Sequence, residues 1–225
     1  MPTLQFKQLS EHALFVQFGS TISEQTQRHI QHAVTTLNQH PFPGFIEVVP
    51  SYTNFCVYYD PYVVFKQLPQ AETIAARVQY YIENLLNKLA ESPSVSPRII
   101  EIPVLYGGEY GPDLQEVADY NSLTTDEVIA IHTSRDYLVY MLGFAPGFPY
   151  LGGLDERIMT PRRATPRLEI AAGSVGIGGE QTGIYPFATP GGWQIIGRTM
   201  TPLFSLDHNP PTLLQAGDVV RFVPH

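Results

Sequence analysis

Cysteine is almost missing from this chain, and its scarcity sets a first limit. Cys56 stands alone, so no internal disulfide can form, and a lone thiol suits a reducing compartment. Within the run NFCVYY it reads as a buried structural thiol, not a nucleophile. Positive charge is also short: 13 basic residues face 21 acidic ones, a net charge of −8. Nucleic acid needs a basic face and is excluded as a partner. No lysine follows Lys88, so cation chemistry beyond it must use arginine. No apolar run approaches the roughly 20 residues of a membrane span. The opening MPTLQFKQLSEH has no basic segment followed by an apolar one, hence no signal peptide is expected. A cytoplasmic globular protein is the expectation. Phosphate-loop, H-E-x-x-H, C-x-x-C and G-x-S-x-G motifs are all missing.

What is present supports a sizeable core: 44% of the 225 residues are hydrophobic and 15% are charged, which argues against disorder. LQFKQL and ALFVQF read as strands around a turn at residues 10–12. Thr21-x-x-Glu24 has the form of a capping box for a helix carrying Ile30, Ala33, Val34 and Leu37, which ends before His40-Pro41. His29 and His32 lie on its polar face and lack the further ligands a metal site requires. GFIEVVP and NFCVYYD form a hairpin. Ile74, Val78, Tyr81, Ile82, Leu85 and Leu89 mark the apolar stripe of a helix over 70–91. The order is ββαββα with one further strand, a small antiparallel sheet with two helices.

Residues 92–97, SPSVSP, read as a linker, so domains are expected at 1–95 and 98–225. RIIEIPVLY opens the second domain as a strand. Two short helices follow, the second capped by Thr124-x-x-Glu127. Seven acids against Arg135 across residues 109–136 exclude a DNA-binding helix pair. From Tyr137, YLVYML, RLEI, SVGI, WQIIGRT, PLFSL and VVRFV read as short strands between Gly- and Pro-rich turns, the pattern of a barrel or sandwich.

The unusual chemistry concentrates between Met141 and Gly197. Arg157, Arg162, Arg163 and Arg167 fall within eleven residues, four of the chain's thirteen basic residues. In an extended segment Arg163 and Arg167 point to one side, as a fork for carboxylate or phosphate, with Arg162 pointing away into a structural pair. The alternative is that the arginines pair with Asp155, Glu156, Glu169 and Glu180. Gln181 and Tyr185 add hydrogen-bonding groups beside the glycine run AGSVGIGG, whose glycines read as easing barrel corners. Pro146 and Phe148 lie in GFAPGFPYL, which could line a pocket or groove. His132 follows an acid-capped helix and could move protons or cap the helix end. Trp193 reads as barrel packing. No set of histidines, cysteine and carboxylates has metal-ligand spacing, so no metal is expected.

GFAPGFPYLGG, TPRRATPRLEIAAGSVGIGG, QTGIYP and ATPGGWQIIGRT resemble the signature blocks of the family that includes the 5-oxoprolinase B subunit, allophanate hydrolase subunit 1 and Kip-type kinase inhibitors. The carboxyltransferase domain of urea carboxylase contains a similar module. The likeness covers roughly residues 98–224 and looks closest to the 5-oxoprolinase branch. It implies a cyclophilin-like β-barrel for the second domain, and tips His132 towards a catalytic role beside Arg163 and Arg167. Gln181, Tyr185, Pro146 and Phe148 are the corresponding substrate-binding candidates. The implied activity is ATP-dependent opening of 5-oxo-L-proline to L-glutamate, with subunits A and C as partners and ATP as cofactor at the level of the complex. The family's other activities leave an allophanate hydrolase subunit, or an inhibitor docking on a sensor histidine kinase, as alternatives.

Overall fold

The computed structural model describes residues 4–88 and 97–225, so the linker reading at 92–97 falls almost wholly outside the described residues. The chain divides after Ser96 into two compact units.

In the first unit, β1 (Gln5–Ser10) and β2 (Ala13–Gln17) form a hairpin, followed by α1 (Glu24–Gln39). A second hairpin, β3 (Phe45–Pro50) and β4 (Asn54–Tyr59), joins β2 to give the antiparallel order β1-β2-β4-β3. Leu14 and Val16 of β2 alternate inward with Phe55, Val57 and Tyr59 of β4, the period of two that a half-buried sheet imposes. Ile30, Ala33 and Leu37 of α1, with Val78, Ile82 and Leu86 of α3 (Ile74–Lys88), complete this core.

Two local readings need correction. The first helix starts at Glu24, not Thr21, because Ser23 is the cap, its hydroxyl accepting from the Thr26 amide at 3.1 Å. The expected further strand does not appear among the described residues, and a third helix, α2 (Pro61–Gln67), follows β4 instead. Asp60 accepts from the amides of Tyr62 and Val63 while Pro61 occupies the first helical turn. That pairing of an Asp cap with proline is a helix start legible in sequence.

The second unit is a closed barrel flanked by two helices. Its strands are β5 (Ile99–Tyr106), β6 (Asp136–Leu142), β7 (Pro149–Gly152), β9 (Ser174–Gly178), β10 (Gln181–Ile184), β12 (Gln194–Arg198) and β13 (Val219–Pro224). They close in the order β10-β7-β6-β13-β5-β12-β9, antiparallel except where β13 runs parallel to β5. Closure leaves no sheet edge to aggregate. Inside sit Ile102, Val104, Val139, Leu151, Val175, Ile177, Ile184, Ile196, Val220 and Phe222. The helices α4 (Leu114–Tyr120) and α5 (Thr125–Thr133) pack Val117, Ala118, Val128 and Ile131 on the same core. The capping box of Thr124 and Glu127 is formed in both directions. RLEI is not a barrel strand: it forms β8 (Arg167–Ile170), paired with β11 (Thr189–Gly191) in a separate two-stranded ribbon. PLFSL makes only a single bridge, Phe204 to Thr212. No helix among the described residues is long and apolar enough to cross a membrane.

Each unit buries its own apolar cluster, so residues 98–225 are expected to fold without the first 95. Dispersed amide resonances from that fragment are the expected result, and a collapsed spectrum would refute it.

Candidate functional site

The outer wall of the barrel carries a second, aromatic cluster: Phe148, Tyr150, Tyr185 and Trp193, with Ala145, Ile170, Ile195 and Phe187. Their rings meet edge to face, Phe148 lying 5.1 Å from Tyr185 and 5.5 Å from Trp193 between centroids, a favoured aromatic geometry. The glycine run makes this possible. In β9, Val175 and Ile177 face the barrel interior, so Gly176 and Gly178 face out. A Cβ on Gly178 would stand 2.5 Å from the Trp193 indole, and one on Gly183 of β10 would stand 3.0 Å from it. Gly176 and Gly183 lie mid-strand and, with Gly178 at the end of β9, clear a slot in which the tryptophan rests on bare backbone, leaving no open phosphate cradle above them. Gly173 and Gly179 of the same run sit at φ 80° and 68° on either side of β9, where they turn the chain.

Beside the cluster, residues 143–148 form a tight loop closed by hydrogen bonds from the Gly143 amide to the Phe148 carbonyl and from Phe148 to Ala145. Phe144 sits at φ 68°, a conformation that costs a non-glycine residue energy and that clusters at ligand clamps. The residue is 64% exposed, yet its ring is held edge-on against Phe148 and Tyr185. Pro146 is exposed at the loop tip, Gln181 is half-buried at the start of β10, and Phe148 and Tyr185 are buried walls. Burial pushes the Tyr185 phenol up to about 12.

The two fork arginines converge on Asp113, at the start of α4. Arg167 grips both carboxylate oxygens at 2.6 and 2.8 Å, and Arg163 donates to one at 2.9 Å. The Ile195 amide of β12 donates to the other at 2.6 Å, while the Asp113 amide returns a bond to the Ile195 carbonyl. Arg163 also reaches Glu116 at 3.0 Å. Asp113 is 3% exposed and each arginine side chain about 30%. A substrate could use this fork only by displacing Asp113. The partners lie some fifty residues away and differ from Asp155, Glu156, Glu169 and Glu180. Of those four, Asp155 is engaged, by Arg135 and Arg157. Arg162 takes the opposite side, its guanidinium 5.9 Å from the Trp193 ring centre and exposed to solvent.

His132 lies wholly inside the barrel, stacked on Phe222 with ring centres 4.6 Å apart. Thr182 gives its hydroxyl proton to the Gly176 carbonyl at 2.9 Å. It must therefore accept from His132 Nε2 at 3.0 Å, leaving Nδ1 to accept from the Tyr106 hydroxyl at 2.8 Å. The imidazole is thus neutral with its proton on Nε2, and burial drives its pKa down to about 3. To carry protons for a substrate it would need a route through the barrel wall. Among the described residues, no three His, Cys, Asp or Glu side chains gather to hold a metal ion.

Comparison with known proteins places this geometry. Residues 4–214 match the model of the carboxyltransferase domain, subdomain C and D. The chain belongs to that family. A relative from Bacillus subtilis (strain 168), named as the B subunit of 5-oxoprolinase, is 53% identical over 97% of this chain and 92% of its own length. One of the same name from Haemophilus influenzae is 46% identical over 96% of this chain and 95% of its own. The solved structure of TTHA0988 superposes with a TM-score of 0.79 at 34% identity, covering 95% of this chain but 40% of that longer one. The charge cluster at the start of α4 is internally neutral. Asp113 and Glu116 cancel Arg163 and Arg167, while the aromatic wall and Arg162 face outward. Sequence reasoning missed Asp113 because nothing local links it to residues fifty positions on. It missed Phe144 because a positive φ outside glycine leaves no sequence mark.

Two measurements probe this lattice. Asp113→Ala should cost about 3 kcal/mol in urea unfolding, since it strands two guanidiniums around a buried gap. Glu116→Ala, whose carboxylate is 55% exposed, should cost under about 1 kcal/mol. For His132, the folded pKa lies below the ordinary 6.5, so the fold favours the neutral ring. That stability is complete above about pH 6.5 and is lost as pH falls towards 3, at about 1.4 kcal/mol per pH unit. Relative to His132→Gln, the native chain should show this extra slope; parallel pH profiles would refute it.

Proposed function

We propose that this chain is the B subunit of an ATP-dependent 5-oxoprolinase, acting with subunits A and C to convert 5-oxo-L-proline to L-glutamate. The observation that carries this reading is the near full-length likeness to two relatives named as 5-oxoprolinase B subunits.

Opening the lactam breaks its C–N bond, delivers water to the carbonyl carbon and returns a proton to the nitrogen. The step is unfavourable enough to need coupling, and phosphorylation of the amide oxygen supplies it. Negative charge then gathers on oxygen and calls for fixed positive charge and donors nearby. The chain's features fit a contributing surface better than a complete active site. Its glycine strands are filled by Trp193, and its second unit has no lysine; ATP binding is accordingly assigned to the partner subunits.

The sequence candidates take roles within this proposal. Phe148 and Tyr185 wall the substrate site, with Pro146 and Gln181 at its rim. Arg163 and Arg167 hold the rim segment in place through Asp113, and His132 locks the barrel beneath.

The test is glutamate formation from 5-oxoproline by the three subunits mixed from separate preparations. Glutamate should appear only with ATP and all three chains. Undiminished turnover after omission of this chain, or turnover by this chain alone, would refute the proposal.

A further inference from the structure

Four arginines crowd residues 157–167, and the structure treats one of them differently. Arg157 is held by Asp155, and Arg163 and Arg167 by Asp113. Among the described residues Arg162 makes no ion pair, although a guanidinium readily takes a two-pronged contact with a carboxylate. Its place is nevertheless set. The next residue is tied down twice, by the Arg163 amide to the Gly192 carbonyl at 2.7 Å and by the Arg163 side chain to Asp113. Gly192 directly precedes Trp193, so the chain segment bearing Arg162 is pinned to the loop bearing the ring it overlies. The charge of Arg162 also reaches the phenols of Tyr150 and Tyr185, where it opposes the upward push of burial. A guanidinium resting on the Trp193 ring keeps its N–H donors in solvent free for an anion.

The second component is Phe144. Its exposed ring borders the same cluster through Tyr185 and Phe148, and its backbone is held in a conformation that only a well-determined loop sustains. Together they offer one charged fork and one flat apolar face.

We propose that Arg162 is the carboxylate-binding residue of this chain, and that Phe144 receives the flat, uncharged body of the same small ligand. The assignment rests on the 5-oxoprolinase reading only for the ligand's identity: 5-oxo-L-proline is a planar lactam bearing one carboxylate. It predicts that recognition depends on Arg162, with Arg163 and Arg167 acting as supports.

The chain has a single tryptophan, so indole fluorescence of the full-length protein reads this cluster alone. Titration with 5-oxo-L-proline should give a saturable change in Trp193 emission. Arg162→Ala should weaken it roughly 10- to 100-fold, the loss of a charge-assisted contact. Replacing the ligand by 2-pyrrolidinone, which lacks the carboxylate, should do the same. Phe144→Ala should weaken binding of both ligands alike. In the reconstituted complex Arg162→Ala should raise KM for 5-oxoproline by a similar factor and leave that for ATP unchanged. Unaltered affinity and KM in Arg162→Ala, or an equal response to 2-pyrrolidinone, overturns the assignment even if the complex is fully active. A wild-type complex that forms no glutamate sinks the 5-oxoprolinase reading instead. The subsite then stands if benzoate, another flat carboxylate, gives a saturable change that Arg162→Ala abolishes. It falls if neither carboxylate perturbs Trp193.

Discussion

The second unit depends on one buried carboxylate. Asp113 accepts from two guanidiniums and a backbone amide, and without them its burial would be prohibitive. With them, four segments remote in sequence are fixed at one point: the start of α4, the strand β12, the loop at Arg163 and the ribbon strand β8. Buried ion pairs add little net stability, because desolvation consumes most of the Coulombic gain. What this one supplies is registration. The Asp113 amide and carboxylate bracket Ile195 from both sides, so a shift of β12 by one residue would lose both contacts and turn Ile196 out of the core.

A second constraint follows from the position of Ile195. The residue two before it is Trp193, and β12 therefore delivers the indole onto the outside of β9 and β10. A ring of that size can lie against a strand only where outward side chains are missing, and Gly176, Gly178 and Gly183 provide the gap. The barrel thus has two cores separated by one sheet thickness. Aliphatic residues lie within, together with His132 and the rings of Phe222 and Tyr137, while Phe148, Tyr150, Tyr185 and Trp193 lie without. Period-two alternation makes this economical, since each strand serves both.

That alternation explains what the sequence could reveal. Strands SVGI and VVRFV, the capping box at Thr124 and the stripe on α3 are written in spacing and propensity, so they were legible. The barrel's closure was not: YLVYML reads the same in a sandwich, and only the family resemblance pointed to a barrel. RLEI has the composition of a barrel strand but pairs with β11 in a ribbon, Gly191 opposite Arg167, whose side chain is held by Asp113. PLFSL makes only the single bridge from Phe204 to Thr212, since Pro202 and its loop contacts override its β-propensity. In the site, the clustering of arginines was visible, but their partners were not. Helix and strand periodicities carry information over a few residues, whereas Asp113 and Arg167 meet across fifty-four positions.

The charge arithmetic then gives the site its direction. Two acids and two arginines around α4 sum to zero and keep their field local, since opposite charges a few ångströms apart cancel at a distance. Asp155 is likewise covered by Arg135 and Arg157. What projects from this face of the barrel is therefore not the arginine cluster as a whole but the remainder after pairing. That remainder is Arg162, exposed to solvent with its guanidinium 5.9 Å from the Trp193 ring centre. The neutral lattice behind it can be rigid without drawing anions to itself. Ion pairing and solvent exposure are in this way divided between neighbouring arginines of one short segment. The division is made at Arg163, whose amide is bonded to the Gly192 carbonyl and whose side chain turns to Asp113, while the Arg162 guanidinium overlies Trp193.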